Sequence, residues 1–249
     1  MTELVGLNEI QRNPNLTFVA FIAFFLIGVL GVRFGLYAYW NGRRSNTDAQ
    51  TMLWGYLLVV GVLSTLYGLA GILRIVVLSV SDAVLEVAGG LMLGLVLSLA
   101  LALRSVHLRM ADTARMAGDS GASANNVLVL GAALAVLATT VAMILLPDLR
   151  RPLAVVHGLL GAGFLAYGYR FGQRQISQIQ VQGTLLDTLL RHLLPVLLFA
   201  SLVPILELSW VVGMPRTVVL YIQVVFVIMT ATTLMTATIK LRQNLAGMR

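Results

Sequence analysis

The chain contains no cysteine. Disulfides, thiolate nucleophiles and iron–sulfur ligation are therefore excluded. Charge is almost as scarce, at 11% of 249 residues, where a soluble domain carries about 25%. There are three histidines, and a single lysine, Lys240, stands beside sixteen arginines. No phosphate-binding glycine loop, no HExxH pair and no Ser-His-Asp set occurs, so the sequence offers none of the familiar catalytic constellations. No enzyme and no cofactor is expected.

What fills the chain instead is apolar sequence, 59% of the residues. Long apolar runs of about 20 residues with few charges are membrane spans. Seven can be drawn, at 17–40, 51–78, 83–103, 127–146, 153–171, 193–213 and 217–239. Little chain is left over, so residues 1–249 read as one all-α polytopic membrane domain with no sizeable soluble module. The first run is too long for the apolar core of a signal peptide, and Glu3 and Glu9 precede it against a single Arg12, so a cleaved leader is not expected.

Arginine placement predicts the orientation. With the N-terminus outside, the inner segments hold Arg43, Arg44, Arg104, Arg109, Arg115, Arg170, Arg174, Arg191, Lys240, Arg242 and Arg249. The outer segments hold Arg12, Arg74, Arg150, Arg151 and Arg216. Basic residues concentrate in cytoplasmic loops, so the expectation is N-out, C-in, in a cell membrane. This distribution accounts for the net charge of +7 without invoking nucleic acid. Tyr37, Tyr39, Trp40, Trp54 and Tyr56 form an aromatic belt at the inner interface. Arg104 to Asn126 is expected to be the longest connection, flexible around Gly118 to Ser123. After helix 5, Gln173 to Asp187 is expected to continue as an amphipathic inner helix, and helix 6 to kink at either Pro195 or Pro204. Asn15-Leu16-Thr17 is a glycosylation sequon on the expected outer side.

Gly31-Val32-Arg33-Phe34-Gly35 returns 137 residues later as Gly168-Tyr169-Arg170-Phe171-Gly172. At that offset Gly28 to Leu103 aligns without a gap on Leu165 to Lys240. Further identities include Thr51 with Thr188, Leu57 with Leu194, Ser64 with Ser201 and Met92 with Met229. One reading is a parallel 3+1+3 repeat, with 17–103 and 153–240 as triple-helix units and 127–146 as the linker helix that lets both run the same way. The other is two unrelated helices that each end in a small-residue, basic interface. Parallel repeats occur in SWEET-type transporters, although the Pro-Gln pairs of that family are absent. An opsin would need a lysine deep in helix 7, and Lys240 lies only at its end.

Ionisable groups inside spans are costly and mark function. At 1.5 Å per residue, Arg74, Glu86, His157, Glu207, Trp210 and Gln223 all fall in the outer third of the membrane, on five helices. They are the candidate ligand-binding residues. Arg74 would pair with Glu86 or an anion, and His157 with Glu207 would share a proton or a borderline metal. Arg33 and Arg170 read as snorkelling to lipid headgroups. The midplane has Ser64, Thr65, Tyr67, Ser98, Thr139, Thr140, Ser201 and Thr230 but no charge. The favoured function is a receptor-like sensor with an outward polar pocket and a membrane or cytoplasmic protein partner at the basic inner loops. The alternatives are a SWEET-like transporter of a small neutral solute, and a non-catalytic subunit of a larger membrane complex.

Overall fold

The computed structural model describes residues 10, 13–44, 48–77, 82–114, 121–178 and 185–247. Among them there is no strand. Seven helices carry the fold: α1 (Pro14–Arg44), α2 (Asp48–Val76), α3 (Asp82–Ala114), α4 (Gly121–Leu145), α5 (Arg150–Gln178), α6 (Leu185–Ile205) and α7 (Arg216–Gly247). All seven are long and apolar enough to cross a membrane. The end at which α1 begins is called here the N-end, and the opposite end the C-end.

Local chemistry sets the helix ends. Pro14 occupies the first helical position of α1, where a missing N–H costs nothing. Asn13 caps it, its Oδ1 accepting the Leu16 N–H at 3.2 Å, and its amide donates to the Tyr221 hydroxyl of α7 at 2.6 Å. In α6, Pro195 is accommodated inside a continuous helix. Pro204 lies one residue before the end of α6, and the chain then tightens into a 3-10 turn, Leu206–Trp210. A proline has no N–H to continue the ladder and its ring crowds the preceding turn. Gly213, at φ +73°, supplies the left-handed residue that turns the chain into α7.

Three sequence expectations change. The connection after helix 3 is shorter than Arg104 to Asn126, because α3 runs on to Ala114 and α4 already starts at Gly121. Of the stretch expected to be flexible, Gly121 to Ser123 are helical, while Gly118 to Ser120 lie outside the described residues. The helix expected to continue through Gln173 does so as far as Gln178 and α6 opens at Leu185, while residues 179–184 lie outside the described residues. The sequon sits in the first turn of α1, where the Thr17 hydroxyl donates to the Ile10 and Asn13 carbonyls, a poor setting for a modification that favours open loops.

The helices close into a ring in the order α1, α2, α3, α5, α6, α7, with α7 returning to α1. α3 also touches α6 across the ring, and α4 lies outside it against α3 and α5. Val127, Leu130, Leu134 and Leu137 of α4 are exposed, as befits a helix bathed in lipid. Helix pairs in lipid gain no hydrophobic drive from meeting, so they rely on close packing of small residues. The α1–α2 seam does this with backbone against backbone. A Cβ on Gly61 would stand 2.5 Å from Gly35 Cα and 2.9 Å from the Gly31 carbonyl oxygen, and one on Gly68 would stand 2.6 Å from the Phe24 carbonyl oxygen.

The Gly-x-Arg-Phe-Gly echo has a packing sense at both sites. Gly31 and Gly35 are buried against α2, while Gly168 is buried between Leu197 of α6 and Ala100 of α3 and Gly172 against Leu194 of α6. Arg33 and Arg170 are exposed. Each copy thus lays glycines on a neighbouring helix and turns its arginine outward.

The seam yields a direct test. Gly61→Ala should destabilise the purified protein by about 1–3 kcal/mol, the usual cost of overpacking, read as a lower unfolding midpoint in detergent. Gly131→Ala on α4, where a Cβ would meet nothing within 4 Å, should be neutral or gain up to about 1 kcal/mol from helix propensity. Equal effects at the two positions would refute the tight α1–α2 contact.

Candidate functional site

Glu86 and Glu207 meet three arginines at the N-end. All seven helices contribute to a cavity of about 140 Å³ there, lined among others by Tyr67 and Arg74 of α2, Glu86 and Met92 of α3, Met143 of α4 and Arg150 of α5. Phe24 of α1, Glu207 of the 3-10 turn after α6, and Arg216 and Gln223 of α7 complete it. A cavity of about 150 Å³ holds a benzene-sized molecule, so whatever enters is small. Tyr67 and Gln223 lie seven residues further into the membrane than Arg74 and Arg216, about 10 Å at the helical rise. They belong to the floor and the arginines to the mouth.

Each wall has a local cause. Phe24 meets the Tyr67 ring edge-on at 5.6 Å between centroids, above the glycine seam that draws α1 and α2 together. Gln223 donates to the Val203 carbonyl at 3.3 Å, tying α7 to the proline-modified end of α6. Arg150 opens α5 directly after the short 3-10 turn Pro147–Leu149, and its Nε lies 2.8 Å from Glu86 Oε1. The two side chains keep 25% and 12% of their surface exposed, so the pair is largely withdrawn from water.

His157 sits beneath this layer and is 1% exposed. Its Nε2 lies 3.2 Å from the Gly89 carbonyl oxygen, which can only accept, so Nε2 carries the proton in that bond. Its Nδ1 and Glu207 Oε2 are buried and have no hydrogen-bond partner among the described residues. Gly89 explains the space between them. A Cβ there would lie 3.7 Å from His157 Nε2 and 3.8 Å from Glu207 Oε1. Glycine therefore leaves a methyl-sized gap flanked by an imidazole and a carboxylate. Among the described residues no three His, Asp or Glu side chains gather as a metal site would require.

Below the cavity the polarity ends. Ser64, Thr65, Ser98, Thr140, Ser201 and Thr230 each donate to a carbonyl one turn back in their own helix, at 2.7–2.8 Å. Thr139 does the same. These hydroxyls are satisfied locally and, among the described residues, build no chain of contacts across the membrane.

Of the residues singled out from sequence, Arg74, Glu86, Glu207 and Gln223 line one cavity, and His157 abuts it through Gly89. The backbone of Trp210 closes the 3-10 turn beside Glu207, while its side chain lies outside the described residues. Sequence reading paired Glu86 with Arg74; the structure adds Arg150 as a partner. Arg150, Arg216 and Tyr67 were missed as site residues. The two arginines fall outside the apolar runs, yet each opens its helix and lines the cavity with Arg74. No protein-family model, curated protein or solved structure matches the chain, so the site is read from its geometry alone.

The ion pair carries a prediction. Arg150→Ala leaves Glu86 short of a partner in a site with little water, and should cost about 1–3 kcal/mol of stability. Arg150→Ala combined with Glu86→Ala should recover part of that loss. A double-mutant cycle by thermal unfolding measures the coupling, and strict additivity would show that the pair contributes nothing.

Proposed function

We propose that the chain is a seven-helix membrane sensor, N-terminus outside and C-terminus inside, whose N-end cavity takes a small polar solute. Its basic C-end then serves a membrane or cytoplasmic partner. The observation that carries this reading is the contrast along the membrane normal. Three arginines, two carboxylates, an amide and a histidine meet at the N-end, whereas the midplane serine and threonine hydroxyls turn back on their own helices. A solute bound at the N-end finds no polar relay beneath it. That suits recognition better than passage. The arginine count at the two ends supports the orientation.

The helix ring favours one second reading. Exchanging helices 1–3 for 5–7 maps the α1–α2 contact onto α5–α6, α2–α3 onto α6–α7, and α1–α7 onto α5–α3. The α3–α6 contact has no counterpart between α7 and α2. This near-symmetry, with α4 outside, supports a 3+1+3 repeat and with it a SWEET-like transporter of a small neutral solute.

One set of measurements separates the readings. Reporters fused at Thr2 and Arg249 should read external and cytoplasmic. Small polar solutes, anions and zwitterions included, should then be screened for thermal stabilisation of the purified protein. Gly89→Ala puts a methyl between His157 and Glu207 at ordinary contact distance, so the fold should survive. That variant and Glu207→Gln should weaken binding of any stabilising solute by about tenfold or more, the scale of one lost charge-assisted hydrogen bond. The same solute should show no counterflow in proteoliposomes. Counterflow would establish the transporter. A set of solutes that stabilises wild type and both variants alike would leave the cavity without a recognition role and favour the complex-subunit reading.

A further inference from the structure

The C-end carries a second concave site, which unlike the first is lined by cations with no carboxylate among them. It is a notch of about 690 Å³ between the last turns of α1 and α7, lined by Tyr37, Trp40, Arg43, Arg44, Arg242, Leu245 and Ala246. Neither α1 nor α7 contains a single acidic residue, and none lines the notch. The two helix ends are clipped together beneath it. Asn41, fully buried, donates to the Leu241 carbonyl at 3.2 Å and accepts from the Asn244 amide. The notch is therefore held in shape before anything enters it.

Capping of helix carbonyls explains only part of this basic cluster. Arg44 donates to the Leu245 carbonyl at 3.3 Å, a common use for a cation at a helix C-terminus. Arg43 instead lies over the Tyr39 ring at 5.8 Å and donates to the Tyr39 hydroxyl at 3.5 Å. Arg242 is exposed and lines the notch. A guanidinium offers five donors in a planar fork suited to phosphate oxygens, and most of those on Arg43 and Arg242 remain unspent. The Tyr37 and Trp40 rings pack at 5.8 Å between centroids on the α1 wall, aromatic residues of the kind that settle at headgroup level. By the helical period, exposed Leu36 on α1 and exposed Met235 and Ile239 on α7 continue the two walls towards the membrane interior. A cationic mouth above apolar walls, between two membrane-crossing helices, matches one chemistry.

We propose that this notch binds the phosphodiester headgroup of an anionic phospholipid, with Arg43 and Arg242 on the phosphate and the acyl chains lying along α1 and α7. The site does not depend on which side of the membrane the C-end faces, nor on the role of the N-end cavity.

The test is lipid retention by the full-length protein in mild detergent, counted by native mass spectrometry after incubation with phosphatidylglycerol or phosphatidylcholine. Wild type should retain phosphatidylglycerol at least about tenfold better, as expected for charge-assisted bonds to phosphate. Arg43→Gln with Arg242→Gln should abolish the preference. Ala246→Glu, which sets an acid in the notch at an exposed helical position, should abolish it without touching either arginine, so a folding defect in one variant does not leave the question open. Arg151→Gln with Arg170→Gln removes the same charge from exposed positions outside the notch and should keep the preference. Millimolar inorganic phosphate should not displace the lipid. Equal retention of the two lipids by wild type would overturn the proposal, as would an unchanged preference in Ala246→Glu. Loss of preference in the charge-matched control would reduce it to bulk electrostatics, and displacement by phosphate would make the notch a free-anion site.

Discussion

Hydrocarbon offers no hydrogen-bond partners, and every other feature of this molecule follows from that. An unsatisfied backbone group there costs several kcal/mol by transfer scales, about 2–7 for an amide. Seven helices answer the backbone demand. Side chains meet the same demand in two ways. Midplane hydroxyls donate to the carbonyl one turn back, so that Ser64, Ser98, Ser201 and Thr230 cost little where they lie. Charged groups cannot be satisfied so cheaply, and they are drawn to the membrane's edges, where the paired Glu86 and Arg150 keep a fraction of their surface accessible.

The tightness of the α1–α2 seam and the existence of the N-end cavity are linked. Gly28, Gly31 and Gly35 facing Gly61 and Gly68 bring the two backbones into contact. The large side chains at the end of that seam, Phe24 and Tyr67, then have to lie across one another. Their rings form a wall that α2 alone could not build. On the other side of the bundle, Gly158 and Gly161 lie against Pro204 and Leu208, which brings α5 close to the 3-10 turn that carries Glu207. Small residues on two helix pairs thus set where the carboxylates, arginines and His157 end up.

Much of this was readable before any coordinates. The seven helices follow from apolar run length, and the four residues Arg74, Glu86, Glu207 and Gln223 were found by depth alone. Helix ends were less legible. α3 outruns its apolar segment by more than two turns, because a helix that leaves the membrane needs no apolar residues to continue. Arg150 and Arg216 escaped for a related reason. A rule that looks for ionisable groups inside apolar runs discards those on the first turn of a helix, although their long side chains reach back over the cavity.

Azimuth is where sequence reasoning stops in such a bundle, and the reason is physical. In a soluble helix the face towards solvent is polar, so a period of 3.6 residues marks the core face. Here the face opposite the core meets lipid, which is as apolar as the core itself. Leu36 and Leu57 are the same residue type, yet one is exposed and the other fully buried. The periodic signal cancels, and only depth survives. What remains to mark direction are the residues whose chemistry differs between protein and lipid contact: glycines that admit a backbone, and charges that require a partner. Gly31 turns its helix towards α2 and Gly168 towards α3 and α6, and Arg33 and Arg170, two positions on in each copy, point away. Those glycines and arginines fixed the faces of α1 and α5 that no hydropathy pattern could, and for the same reason the convergence of Glu86, Glu207 and Gln223 on one cavity required coordinates.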